Sequence, residues 1–130
     1  MTKKKILIVD DSEAVRSSLK KIILQQNSDL EIEVCEADNG TAGFELFEKK
    51  QPFALIFSDY NMPNMNGLDM CKKIKEKFGS NAPPMILLTT QSNPDLMAEG
   101  KKVGVTAWVI KPMSTKTLIQ IVERFIKNFK

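Results

Sequence analysis

The chain has 130 residues, 42% hydrophobic and 27% charged, which is enough for one domain with a single core and too little for a second, so one domain is expected over residues 1–130. The net charge of +3 is mild, its lysines are scattered from Lys3 to Lys127, and no zinc-finger, RNP or glycine-clamp motif is present, which argues against direct nucleic-acid binding. There is no histidine, which argues against zinc sites and thiol–imidazole catalysis at Cys35 and Cys71, and these read as reduced, partly buried small residues.

Strand one is expected over Lys5 to Val9, where Ile6-Leu7-Ile8-Val9 stops at Asp10-Asp11. That apolar run is too short for a signal peptide, and nothing approaches a membrane-spanning length, so no membrane insertion and a cytoplasmic location are expected. Ser12 is a candidate N-cap for a helix over Glu13 to Gln26, with Val15, Leu19, Ile22 and Ile23 on one face. Strand two follows over Glu31 to Glu36, and Asn39-Gly40 reads as a turn. Helix two spans Thr41 to Lys50, burying Phe44, Phe47 and Leu46, and Gln51-Pro52 ends it. Strand three is Phe53 to Ser58, broken off by Asp59 and the turn-rich Tyr60-Asn61-Met62-Pro63.

Helix three starts at Gly67, carries Leu68, Cys71, Ile74 and Phe78 as a stripe, and stops at Gly79. Strand four is Met85 to Leu88, ending in Thr89-Thr90. Helix four has a clear start in Asn93, Pro94 and Asp95, and Gly104 closes it. Its apolar stripe of Leu96, Met97 and Val103 is thin, so loose packing is expected. Strand five is Thr106 to Ile110, ending in Lys111-Pro112, and helix five covers Thr115 to Asn128 with Leu118, Ile121, Val122, Phe125, Ile126 and Phe129 inward. The methionines Met62, Met65, Met70 and Met85 read as loop and core filling.

Strict alternation with short connections gives (βα)5: a doubly wound parallel five-stranded sheet with helices on both faces and right-handed crossovers. In such sheets ligands bind at the carboxyl edge. Here that edge collects Asp10, Asp11, Asp59, Thr89 and Lys111. Three carboxylates about 4 Å apart repel by about 4 kcal/mol per pair at an effective dielectric near ~20. A hard divalent cation relieves that repulsion, and Mg2+ suits carboxylate and carbonyl oxygens. The set points to metal-assisted phosphoryl chemistry.

Val9-Asp10-Asp11-Ser12, the run from Asp59 through Tyr60-Asn61-Met62-Pro63 to Met65 and Gly67, Leu88-Thr89-Thr90 and Lys111-Pro112 resemble, in order, the motifs of bacterial response-regulator receiver domains. The likeness covers essentially the whole chain, and the stretch from Asp59 to Leu68 is most similar to single-domain chemotaxis regulators. It implies a flavodoxin-like fold with strand order 2-1-3-4-5. It further implies that Asp59 accepts a phosphoryl group from a histidine kinase. Mg2+ would sit on Asp11 and Asp59, with Asp10 acting through water and Asn61 through its backbone carbonyl. Lys111, aimed by a cis peptide to Pro112, and the Thr89 hydroxyl would engage the phosphoryl oxygens. Thr89 and Trp108 would then act as the switch pair, reshaping the surface of helix four, strand five and helix five. Asn61 and Gln91 are the positions that affect phosphate lifetime in the family, and Tyr60 flanks the site. A downstream target, the flagellar motor switch among the candidates, a phosphatase and a monomeric state are the implied partners and assembly.

Each residue also has a plain structural reading. Asp10-Asp11 serves as a helix cap, Asp59 as a turn initiator, Thr89 as a strand end and Lys111 as a solvated lysine. Their joint occurrence at successive strand ends selects the functional reading, while core packing and switching both stay open for Trp108. Competing functions are a phosphorelay intermediate, a receiver cut from a DNA-binding regulator, a haloacid-dehalogenase-type phosphatase and a flavin binder. The phosphatase needs a second acid where Asn61 stands, and the flavin binder needs a phosphate loop where Asp10-Asp11-Ser12-Glu13 stands. The chain is accordingly expected to catalyse only its own phosphorylation and dephosphorylation.

Overall fold

The structure is a computed structural model that describes residues 4–26, 31–63, 65–90 and 92–127. Its elements run β1 (Lys4–Val9), α1 (Glu13–Gln26), β2 (Ile32–Ala37), α2 (Gly40–Lys50), β3 (Leu55–Asp59), α3 (Gly67–Phe78), a 3-10 turn (Gly79–Asn81), β4 (Met85–Thr89), α4 (Pro94–Val103), β5 (Ala107–Ile110) and α5 (Thr115–Val122), with a π-helical turn over Glu123–Lys127. The five strands are all parallel in the order β2-β1-β3-β4-β5. The doubly wound sheet and its strand order are as the sequence implied.

The period of two along each strand sorts the core into two layers. Leu7, Val9, Ile56, Met85 and Leu87 face α2 and α3 with Phe47, Met70, Cys71 and Ile74. Ile6, Ile8, Leu55, Phe57, Ile86 and Leu88 face α1 and α5 with Leu19, Ile23, Leu118, Val122 and Ile126. Each fully buried side chain of this size contributes about 1.5–3 kcal/mol. Both cysteines are free and buried. On α4 only Gly100 is buried, while Leu96, Met97 and Val103 are half-buried, which matches the expected thin packing. Among the described residues no helix is long and apolar enough to cross a membrane.

Several boundaries differ from the periodicity reading, each for a local reason. β2 is shifted by one residue because its ladder pairs Lys4 with Ile32 and Val9 with Ala37. Asn39-Gly40 is not a turn. Asn39 caps α2, its side chain accepting from the Ala42 N–H at 2.8 Å, and Gly40 is the first helical residue. Phe53 leaves the sheet to stack on Phe47 with ring centroids 5.6 Å apart, so β3 begins at Leu55. Thr106 precedes β5 and pairs with Met85, donating its N–H to the Met85 carbonyl and accepting from the Met85 N–H through Oγ1. The last turn of α5 widens to π geometry. Phe129 and Asn128 lie outside the described residues, as does Gln91.

Candidate functional site

β1 and β3 are adjacent, with Val9 opposite Ser58, so the residues that follow in register are Asp10 and Asp59. Asp59 is the last residue of β3 and is 6% exposed; Asp10 is 1% exposed. The chain past Asp59 is held in place by two bonds, from the Tyr60 N–H to the Leu88 carbonyl at 2.8 Å and from the Gly67 N–H to the Tyr60 carbonyl at 3.0 Å. Gly67 is required there, since a Cβ would collide with the Asp59 carbonyl oxygen and meet Ser58 Oγ and Leu87 Cδ2 at 3.0 Å. The β1–α1 loop is also tied down. Ser12 donates its N–H to Asp10 Oδ1 at 2.9 Å and accepts from the Val15 N–H at 3.3 Å, so it caps α1 as expected.

Lys111 closes the site from β5. Its N–H donates to the Thr89 carbonyl at 2.7 Å, and the Lys111–Pro112 peptide is cis, as is Gln51–Pro52. Its Nζ lies 3.1 Å from Asp59 Oδ1 and 3.5 Å from Asp10 Oδ2. Asp10, Asp11 and Asp59 each offer a carboxylate oxygen, all within 4.8 Å of one another. Asp10 Oδ2 is buried and, among the described residues, meets the Lys111 ammonium only at that 3.5 Å and accepts no hydrogen bond. Three acids against one ammonium leave the site in negative excess, and both partners respond. Burial raises the Asp59 carboxyl above its ordinary range and Asp10 and Asp11 add to this, together outweighing Lys111. Burial pulls the Lys111 ammonium down, but the bond to Asp59 and the charges of Asp10 and Asp59 outweigh it and hold it above its usual value. A compact, all-oxygen donor set with a buried oxygen lacking a donor is what a hard divalent cation fits.

Thr89 ends β4 and is 2% exposed, next to Ile110 and Lys111. Asn61 is exposed, two positions past Asp59. Trp108 lies across from Leu87, half-buried, with its ring against Gly100 of α4 and 5.9 Å from the Tyr60 ring. The structure therefore brings Asp10, Asp11, Asp59, Thr89 and Lys111 to one sheet edge and sets Trp108 beside it.

Sequence reasoning passed over Arg16. Its Nη1 donates to the Asp10 carbonyl at 2.7 Å and its Nε to Glu36 at 3.2 Å, so it braces the loop that holds Asp10. The available signal was a cation in the first turns of a helix, where the macrodipole disfavours it unless another partner engages it.

The sequence profile of the response regulator receiver domain matches residues 6–123. The chain is 30% identical over 119 residues to the chemotaxis protein CheY homolog of Campylobacter jejuni, covering 92% of this chain and 89% of that one. It is 37% identical over 124 residues to the transcriptional regulatory protein YdfI of Bacillus subtilis, covering 95% of this chain and 55% of that protein. The solved structure of Vibrio cholerae chemotaxis protein CheY4 superposes with a TM-score of 0.80 at 33% identity, over 96% of this chain and 100% of that one. Parallel sheet, acidic strand-end cluster and sequence agree, and the chain belongs to the response regulator receiver domain family of two-component signalling.

Proposed function

We propose that this chain is a single receiver unit that accepts a phosphoryl group on Asp59 from a histidine kinase and signals by reshaping its α4–β5–α5 face. One observation carries the reading: a buried carboxylate at the end of β3 with an ammonium at 3.1 Å and two further carboxylates within 4.8 Å. Carboxylates act as phosphoryl acceptors, and phosphoryl transfer asks mainly for alignment and charge neutralisation. In the transfer the bond between phosphorus and the kinase histidine nitrogen breaks as a bond from phosphorus to an Asp59 carboxylate oxygen forms. Mg2+, held by the carboxylates of Asp11 and Asp59 and the Asn61 carbonyl, with Asp10 acting through water, would supply the positive charge that keeps Asp59 ionised and neutralises the phosphoryl oxygens. Lys111 pairs with the same oxygens, and the Thr89 hydroxyl donates to them. Movement of Thr89 toward the phosphoryl group and rotation of Trp108 form the output.

The output we favour is chemotactic, with the flagellar motor switch as target. Support comes from the relatives named for chemotaxis among those the chain matches, at 30% identity in sequence and 33% in a solved structure. In this reading the protein works as a cytoplasmic monomer, catalyses only its own phosphorylation and dephosphorylation, and is reset with help from a phosphatase. The test is intact mass after incubation with acetyl phosphate. One phosphoryl group gained by wild type, only with Mg2+, and none by Asp59→Asn is the expected result. Equal gain by the variant would remove Asp59 as the acceptor.

A further inference from the structure

Gly100 lies on the face of α4 that meets Trp108 of β5, and it is the sole buried residue of that helix. A Cβ built on it would fall 2.6 Å from Trp108 Nε1, 2.8 Å from Cζ2 and 2.9 Å from Cε2. The indole thus occupies the space that any other side chain would fill. The backbone beneath it is fixed, because the Gly100 carbonyl accepts from both the Gly104 N–H at 3.0 Å and the Val105 N–H at 2.9 Å. Glycine is disfavoured in a helix interior relative to alanine, and the ring supplies the reason for it here. The ring also meets Tyr60, at 5.9 Å between centroids. The indole Nε1–H, the atom nearest the notch, is buried and has no acceptor among the described residues. An unmade bond of that kind raises the free energy of the pose without preventing it.

We propose that Gly100 is a positioning residue: it forms a notch on α4 that seats Trp108 in its resting pose and so ties the ring's orientation to the position of α4. The tightness of the notch holds the ring in, and the orphaned Nε1–H favours its release. The pose should therefore change on small perturbation, with ring and helix moving together. This rests on the proposed receiver reading only where phosphorylation is the perturbation; the resting pose is independent of it.

Trp108 is the single tryptophan, so its emission reports the pose directly. In wild type without phosphodonor, intermediate acrylamide quenching is expected, since Trp108 is half-buried with its Nε1 covered. Gly100→Ala should shift the emission to the red and raise quenching at least twofold, while hydrogen exchange in residues 94–103 accelerates. It should keep the Mg2+-dependent mass gain from acetyl phosphate, since Gly100 touches none of the acidic site. Trp108→Phe added to Gly100→Ala should restore the slow exchange, because the smaller ring clears the new methyl group. Emission and quenching unchanged by Gly100→Ala would overturn the notch. If Gly100→Ala does not fold, recovery of the fold by the double variant supports the notch, and failure of both variants overturns it. Absence of any mass gain in wild type would instead count against the receiver reading, with the resting quenching still deciding the notch.

Discussion

Asp59→Asn removes one charge from the acidic site and leaves its shape unchanged. The three carboxylate oxygens lie within 4.8 Å of one another, where like charges repel by about 3.5 kcal/mol per pair at an effective dielectric of about 20. Lys111 at 3.1 Å contributes about 5 kcal/mol of attraction to Asp59 on the same scale. Asp11 is exposed, and solvent screens its share to about 1 kcal/mol. Attraction and repulsion at Asp59 nearly cancel, so the cost of burying the carboxylate decides the sign. Asp59→Asn should therefore stabilise the metal-free protein by about 1 kcal/mol, or about 4 °C in Tm for a domain of this size.

The pH dependence follows from the raised carboxyl of Asp59. The folded state keeps its proton to higher pH than the unfolded chain. Between the ordinary carboxylate range and the raised folded value the native state binds more protons, and stability falls as pH rises. Below both values the residue contributes nothing, so the variant's advantage should vanish in acid, open across that window and stay constant above it. Melting curves by circular dichroism in EDTA, from pH 3 to 8 on both proteins, measure this. Mg2+ at about 100 times its Kd should raise wild-type stability by about 2.7 kcal/mol and the variant's by less, since it has lost a ligand. A variant that melts below wild type at neutral pH in EDTA would refute the argument, because the Lys111 pair would then outweigh both burial and repulsion.

Lys111→Met leaves the buried Asp10 and Asp59 uncompensated and should cost about 3 kcal/mol in EDTA, with most of the loss recovered in Mg2+ by the same melting assay. Gly67→Ala forces a methyl group against the Asp59 carbonyl, Leu87 and Ser58, and should cost about 2–3 kcal/mol in urea unfolding while slowing phosphorylation from acetyl phosphate. Burial pushes the Cys71 thiol up to about 12, so at pH 8 iodoacetamide should label Cys71 only after denaturation, as counted by mass. Arg16→Ala frees the Asp10 carbonyl from its brace and should weaken Mg2+ binding several-fold, titrated by Trp108 fluorescence, with a Tm loss of a few degrees at most.

The sheet and the acidic edge were legible because both are local. Four apolar runs each stop at a polar residue, and the stops at Asp10, Asp59, Thr89 and Lys111 need no long-range information. What escaped depends on partners far away in sequence. Arg16 reads as one more surface cation until β2 brings Glu36 to it. Gly100 carries no signal in the helix pattern until β5 brings Trp108 into its Cβ position. Asn39-Gly40 was misread because a dipeptide that favours turns also makes a good helix start when the Asn side chain finds a backbone N–H three residues on. The π turn after Val122 has no signature in a pattern of period 3.6. For Trp108 the sequence left core and switch roles open, and the structure gives the ring a packed seat without excluding a second one.

The central claim is that phosphoryl transfer occurs on the β3 carboxylate itself. Borohydride reduction of protein treated with acetyl phosphate and Mg2+ converts an acyl phosphate to homoserine, and peptide mass mapping locates it. Homoserine at position 59 alone is predicted. Homoserine at position 10 or 11, or phosphate retained on a serine or threonine with residue 59 intact, would contradict the account.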